Sequence, residues 1–187
     1  MSSHLDARAP LVVDTHELTR SPGSVRALTR TVPAPADLHV ELIGVPEGAD
    51  VCLDLTLEAV VEGVLVTGTI DAPLEGECAR CLDPVHENGH FTITELYNYP
   101  GRDAGDDEFF LDGELLDLEP VLRAAVVLDM PFTPLCRPDC AGLCPVCGAR
   151  LNDEPEHVHA EPADPRWSRL GELGVEEDSG QPGDDPV

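Results

Sequence analysis

From Val51 the chain alternates without a break. Val51, Leu53, Leu55, Leu57 and Ala59 fall on one side, and Cys52, Asp54, Thr56 and Glu58 on the other. A period of two marks a strand with one face in a core and one in water. Residues 39–43 open this β-rich stretch, and residues 46–50, with Pro46 and Gly48, read as a turn. Glu62-Gly63 predicts a hairpin turn into a strand over residues 64–70. A further strand is expected through residues 74–81. The Asn88-Gly89 pair is a turn signal, so another strand is expected over 91–97. The succession predicts an antiparallel meander, either a strongly twisted sheet or a partly open barrel.

Helical patterning is sparse. Residues 14–18 predict a short helix with Asp14 or Thr15 as N-cap, stopped by Ser21-Pro22-Gly23-Ser24. Residues 31–35 read as an extended linker into the main body. Residues 118–128 predict a helix with Asp117 as N-cap and Pro120 tolerated in its first turn. Pro131 and Pro134 end it. Asp164-Pro165-Arg166-Trp167 reads as a second capped helix start. The expected fold class is α+β: an antiparallel β core, a few short helices and a C-terminal segment like a zinc knuckle. The expected division is a mixed N-terminal segment (1–37), the β core with an acidic loop and helix (38–135), a cysteine-rich segment (136–171) and a disordered acidic tail (172–187).

Charge narrows the function. Across 187 residues, 37 acidic residues face 11 basic ones, for a net charge of −26, and every base is arginine. Such a chain is a poor candidate for gripping nucleic acid by phosphate neutralisation, which needs a basic patch. Its field favours basic partners. The longest apolar runs are five residues, such as Ala124-Ala125-Val126-Val127-Leu128, whereas a membrane-spanning helix takes about 20. The N-terminus has no basic start followed by an apolar run. The expectation is a soluble, cytoplasmic protein. Seven cysteines in that compartment argue for metal or redox chemistry rather than structural disulfides.

The densest chemical signal is Cys136, Cys140, Cys144 and Cys147, four thiols within twelve residues. Pro145 presets the last turn and Gly148 allows a positive φ after it. Four thiolates fill a tetrahedral Zn²⁺ shell and leave no open position, which describes a structural site. His157 and His159 lie just downstream, and in extended chain both imidazoles project to one side. They can replace two thiolates, giving Cys144, Cys147, His157 and His159. Local spacing puts the four cysteines first. Cys78 and Cys81, with Arg80 between them, form a second Cys-x-x-Cys whose use stays open: a redox pair, half of a metal site, an RNA-facing contact, or small residues at a strand end. Cys52 reads as an ordinary residue on the polar face of its strand.

With these residues in view, the chain resembles the YceD family, the large ribosomal RNA subunit accumulation proteins, and looks like a high-GC actinobacterial member. The matching segments are Gly44-Val45-Pro46-Glu47-Gly48, Glu62-Gly63-Val64-Leu65-Val66-Thr67-Gly68, Glu77-Cys78-Ala79-Arg80-Cys81-Leu82, residues 134–152, and Asp164-Pro165-Arg166-Trp167. The resemblance implies a non-enzymatic factor for synthesis, processing or stability of large-subunit ribosomal RNA. It implies that the Cys-x-Arg-Cys pair is common to the family and that the downstream cluster belongs to some branches. His157-x-His159 stands where other members carry Cys-x-Cys. Because the net charge opposes direct RNA binding, the expected partner is a basic ribosomal protein or an assembly intermediate, with the acidic 103–119 loop as one contact. Two other readings compete: a thiol-disulfide oxidoreductase using Cys78 and Cys81, and a zinc-ribbon adaptor in a transcription complex. The Gly-x-Ser-x-Gly and P-loop motifs are absent from the sequence.

Overall fold

A computed structural model describes residues 5–101 and 108–159. The expected helix start at Asp164, the acidic tail from Glu172 and residues 102–107 of the acidic loop lie outside the described residues.

The alternating stretch forms β4 (Asp50–Ala59), with Val51, Leu53, Leu55, Leu57 and Ala59 all buried as its pattern requires. It is preceded by β1 (Val12–Asp14), α1 (His16–Thr19), β2 (Val25–Pro33) and β3 (Ile43–Gly44). It is followed by β5 (Gly63–Glu77), β6 (Pro84–Asn98), β7 (Phe109–Phe110), β8 (Leu115–Asp117) and α2 (Glu119–Asp129). The main sheet runs β2-β4-β5-β6-β7, with β3 added beside β5. It is antiparallel except at β6–β7. Its pairing path is open among the described residues, so it is a sheet rather than a closed barrel.

Two expectations need correction. The sequence predicts separate strands at 64–70 and 74–81, then a turn at Asn88-Gly89. Instead β5 and β6 run 15 residues each and pair along their whole length, from Gly63↔Asn98 to Glu77↔Pro84. Gly89 sits inside β6 opposite Ala72. A Cβ there would lie 2.4 Å from the Phe91 ring and 3.1 Å from Leu74. The glycine makes room for an aromatic ring rather than reversing the chain. The second correction is β2. Residues 31–35 are not a free linker: Val25 to Pro33 pair with β4 over nine positions. Leu28 and Val32 are its buried hydrophobics, so its pattern carries little alternation.

The two helices close one face of the sheet. Asp14 Oδ1 accepts the His16 N–H at 2.8 Å at the start of α1. Asp117 Oδ1 accepts the Glu119 N–H at 3.0 Å at the start of α2. α2 buries Val121, Leu122 and Val126 and packs on β6. The Tyr97 hydroxyl donates to the Asp117 carbonyl at 2.6 Å, tying β6 to the helix entrance. Burial, together with the nearby Asp117 and Glu95 carboxylates, pushes that hydroxyl's pKa up and keeps it a donor. β1 pairs with β8 just before α2 and brings the N-terminal segment back over the core.

Candidate metal centres

The long β5–β6 hairpin decides where the first Cys-x-x-Cys goes. The strands end together at Glu77 and Pro84, so residues 78–83 must reverse the chain at the hairpin tip. The Cys78 N–H donates to the Asp83 carbonyl at 2.8 Å, and the Leu82 N–H to the Cys78 carbonyl at 2.9 Å. Leu82 takes a left-handed φ of 62°, which a non-glycine residue adopts at a cost. The second Cys-x-x-Cys uses the same turn. The Gly148 N–H donates to the Cys144 carbonyl at 2.8 Å, and Gly148 has a φ of 75°. Residue five of each turn is left-handed, and its N–H closes on the first cysteine.

Each turn meets a different second pair. The Sγ atoms of Cys78, Cys81, Cys136 and Cys140 all lie within 4.8 Å of one another, and so do the ligand atoms of Cys144, Cys147, His157 and His159. The four C-terminal cysteines do not gather at one point: Cys136 and Cys140 turn to the hairpin tip, Cys144 and Cys147 to the histidines. Gly142, with a φ of 79°, turns the chain between Cys140 and Cys144. It lies against Arg80, where a Cβ would come 3.1 Å from the Arg80 carbonyl oxygen. That carbonyl accepts the Leu143 N–H at 3.1 Å.

A stitch of polar contacts supports the first group. The Ala79 N–H donates to the Pro134 carbonyl at 2.8 Å. Arg80 Nη1 donates to the Cys140 carbonyl at 2.8 Å. Asn152 accepts the Ala141 N–H at 2.8 Å and donates to Cys140 Sγ at 3.3 Å. Arg150 pairs with Asp83. Sequence reasoning passed over Gly142, Asn152 and Asp83. The legible signal was that Cys78–Leu82 has the same length and cysteine spacing as Cys144–Gly148.

The electrostatics split the thiols. Burial opposes a charged Cys78, but hydrogen bonds from the Cys136, Arg80 and Cys81 backbone outweigh it and bring the thiol down to about 6. Cys81 moves the other way: burial and the neighbouring Cys136 and Cys78 sulfurs push it up to about 12. The Cys147 and Val146 backbone N–H groups bring Cys144 down to about 6. Contact with Cys144, then with Glu154, raises the His157 pKa against the effect of burial. The backbone hydrogen bonds at Cys78 and Cys144 favour the thiolate, the form in which cysteine takes a metal.

The geometry fits a tetrahedral metal. Zn–S bonds of about 2.3 Å imply sulfur–sulfur edges of about 3.8 Å. Cys78–Cys140 is 3.8 Å and Cys81–Cys136 is 3.5 Å. In the second group, Cys147 Sγ lies 3.3 Å from His157 Nε2 and 3.1 Å from His159 Nε2, and the two nitrogens are 2.9 Å apart. Tetrahedral edges shorten to about 3.3–3.6 Å where nitrogens replace sulfur, because Zn–N is about 2.0–2.1 Å, and this group is somewhat tighter than that. The sulfur separations are well beyond a disulfide bond of about 2.05 Å. An oxidoreductase would present an accessible thiolate, whereas Cys78 and Cys81 are 0% and 2% exposed. Cys52, on the polar face of β4, lies 3.7 Å from the Thr31 hydroxyl and joins neither group.

Three described acids of the 103–119 loop, all exposed, make contacts at the surface of the fold. Glu108 accepts from Asn98 at 2.8 Å. Glu114 pairs with His16 at 2.6 Å. Asp112 accepts the Leu5 N–H at 3.3 Å.

Comparisons with known proteins bear on this arrangement. A model of the family described as "Large ribosomal RNA subunit accumulation protein YceD" matches residues 66–174, a span holding both candidate metal-binding groups. Relatives in Mycobacterium bovis and Mycobacterium tuberculosis, each described as an uncharacterized protein, are 48% identical over 179 residues, 91% of this chain and 85% of theirs. A Mycobacterium leprae relative with the same description is 41% identical over 171 residues, 88% of this chain and 78% of its own. No solved structure matches the chain. Hairpin, cysteine turns and C-terminal cluster thus fall together within one matched span, and the chain belongs to the YceD family of large ribosomal RNA subunit accumulation proteins.

Proposed function

We propose that this protein is a non-enzymatic factor for the accumulation of large-subunit ribosomal RNA, and that its cysteine-rich segment is held in shape by structural zinc. The family match over residues 66–174 carries the ribosomal role. The protein acts on RNA through a basic ribosomal protein or an assembly intermediate. Support comes from the charge: at −26 the chain repels a phosphate backbone at long range and attracts basic chains. The acidic 103–119 loop, whose Glu108, Asp112 and Glu114 are exposed, is one contact for such a partner.

Zinc suits the donors. Intracellular thiolate and imidazole sets in tetrahedral array favour it, and a full shell leaves no coordination position for substrate. Its task is to fix the C-terminal segment on the hairpin tip.

The test is a sucrose gradient of native-host lysate, probed for this protein, with co-migrating proteins identified. Migration with large-subunit precursor particles, together with a fall in large-subunit ribosomal RNA on depletion, is the expected result. Residence at the top of the gradient, with normal ribosomal RNA on depletion, would overturn the ribosomal role. Co-migration with RNA polymerase instead would favour an adaptor of transcription.

A further inference from the structure

The zinc reading above concerns a single cysteine-rich segment. We propose that the chain holds two separate Zn²⁺ ions: a tetrathiolate ion on Cys78, Cys81, Cys136 and Cys140 at the hairpin tip, and a second ion on Cys144, Cys147, His157 and His159. The inference rests on the structural-zinc reading and adds the number of ions and the ligands of each.

Three independent observations carry it. The first is the repeated turn. Residues 78–82 and 144–148 share the Cys-x-x-Cys spacing, the closing hydrogen bond to the first cysteine carbonyl (2.9 and 2.8 Å) and a left-handed fifth residue. A turn of this shape presents two sulfurs from one short loop to one ion. Two such turns facing different partners make two half-sites, not one. Leu82 accepting a left-handed φ, where a glycine would sit without strain, is what a geometry imposed from outside the turn produces.

The second is that each half-site is completed by a pair from elsewhere, with all four donor atoms of each group within 4.8 Å of one another. The all-sulfur group shows edges of 3.5 and 3.8 Å. The mixed group shows 2.9 to 3.3 Å. Eight donor side chains divide four and four, with none shared and none left over.

The third is charge. Four thiolates around Zn²⁺ carry a net −2, which is costly where Cys78 is 0% and Cys140 1% exposed. That group is the one that receives help: Arg80 reaches the Cys140 carbonyl and the Asn152 amide reaches Cys140 Sγ. Two thiolates and two neutral imidazoles around Zn²⁺ carry no net charge, and that group sits nearer solvent, with Cys147 and His159 exposed.

The two sites therefore differ in access. The first lies within the core cluster, where Cys78, Cys81 and Cys140 join the buried hydrophobics and Cys136 alone of the four is exposed. The second has an open side. A competing chelator reaches the mixed site first.

The experiment counts metal on the full-length chain by native mass spectrometry and elemental analysis, then replaces zinc with Co²⁺ to read the ligand set by absorption. Two zinc ions per chain are expected. The double variant Cys147→Ser/His159→Ala, changed at two exposed positions, should retain one ion with a tetrathiolate cobalt spectrum. Cys136→Ser, also at an exposed position, should retain one ion with the weaker sulfur-to-cobalt charge transfer of a two-sulfur site. A single ion in the wild type, lost on Cys147→Ser/His159→Ala, would overturn the two-ion count; a tetrathiolate cobalt spectrum of that ion would restore one site on the C-terminal cysteines, and a two-sulfur spectrum would leave the mixed site alone. A single ion that survives that double variant with a tetrathiolate spectrum would overturn the second site alone. No bound metal would overturn the structural-zinc reading as well, and iron at the hairpin tip would overturn the identity of the first ion.

Discussion

Leu82 and Gly148 occupy equivalent places in two equivalent turns, one with a side chain and one without. A left-handed residue costs roughly 1–2 kcal/mol for most side chains and little for glycine. Leu82 is 57% exposed and Gly148 has nothing within 4 Å of an added Cβ, so neither position is confounded by packing. Leu82→Gly should leave metal content unchanged and be neutral or stabilising, by up to about 1 kcal/mol once glycine's own entropic cost is subtracted. Gly148→Ala should destabilise by about 1 kcal/mol. Thermal unfolding of both metal-loaded variants checks the pair. A loss on Leu82→Gly would mean that the leucine makes a contact worth more than its strain. The difference between Leu82 and Gly148 also explains what sequence could show at this scale. Gly148 advertises its turn, and the last Cys-x-x-Cys was legible as a metal half-site. Leu82 hides the same turn behind a residue that rarely makes it. Local spacing therefore tied Cys136 and Cys140 to their sequence neighbours, when their spatial neighbours lie 55 or more positions away.

At the scale of elements, legibility follows how much of a strand's partner is written in its own pattern. β4 is central, its alternation is complete, and every inward position was readable. Truncating one of them, Leu55→Ala, removes a side chain 2% exposed and should cost about 2–5 kcal/mol by chemical denaturation. β2 is an edge strand with few inward hydrophobics, and its long polar residues serve another purpose. Arg26 Nη1 donates to the Asp14 carbonyl at 3.0 Å, and Arg30 Nη1 to the Pro10 carbonyl at 2.8 Å and the Val12 carbonyl at 3.3 Å. These two arginines strap β1 to the sheet. Arg30→Ala should leave the β4–β5–β6 pairing intact while amides of residues 9–14 exchange faster with solvent deuterium. Unchanged exchange there would show that the β1–β8 pairing holds the segment alone. Gly89 teaches the same lesson in reverse: Asn-Gly is a hairpin signal only when no ring needs the space.

For the whole molecule the question is how far the metal's influence reaches. In small zinc-finger peptides, zinc supplies on the order of 10 kcal/mol of folding free energy, comparable to the 5–15 kcal/mol that holds a typical domain together. If that energy were spread over this fold, chelation would unfold it. The distribution of contacts argues otherwise. The core of the sheet, from Val51 to Ala59 on β4 and Val64 to Ile70 on β5, is buried by hydrophobic side chains far along the strands from the hairpin tip. Residues 136–159 contain neither helix nor strand and meet the hairpin tip through Arg80, Asp83 and the sulfurs. Metal removal should therefore release residues 134–159 and fray β5–β6 from the Glu77↔Pro84 end, while β4–β5 pairing persists. Hydrogen exchange after chelation, under reducing conditions, reads this directly: protection lost near residues 74–87 and 134–159, and retained over 51–59. Cys144→Ser should show the milder form, with protection lost beyond residue 143 and kept at the tip. Uniform loss over β4 after chelation would show that the hairpin tip nucleates the entire sheet. The buried sulfurs of Cys78, Cys81 and Cys140, which belong to the same core cluster as Leu74 and Val85, would then be the means by which metal loss reaches β4.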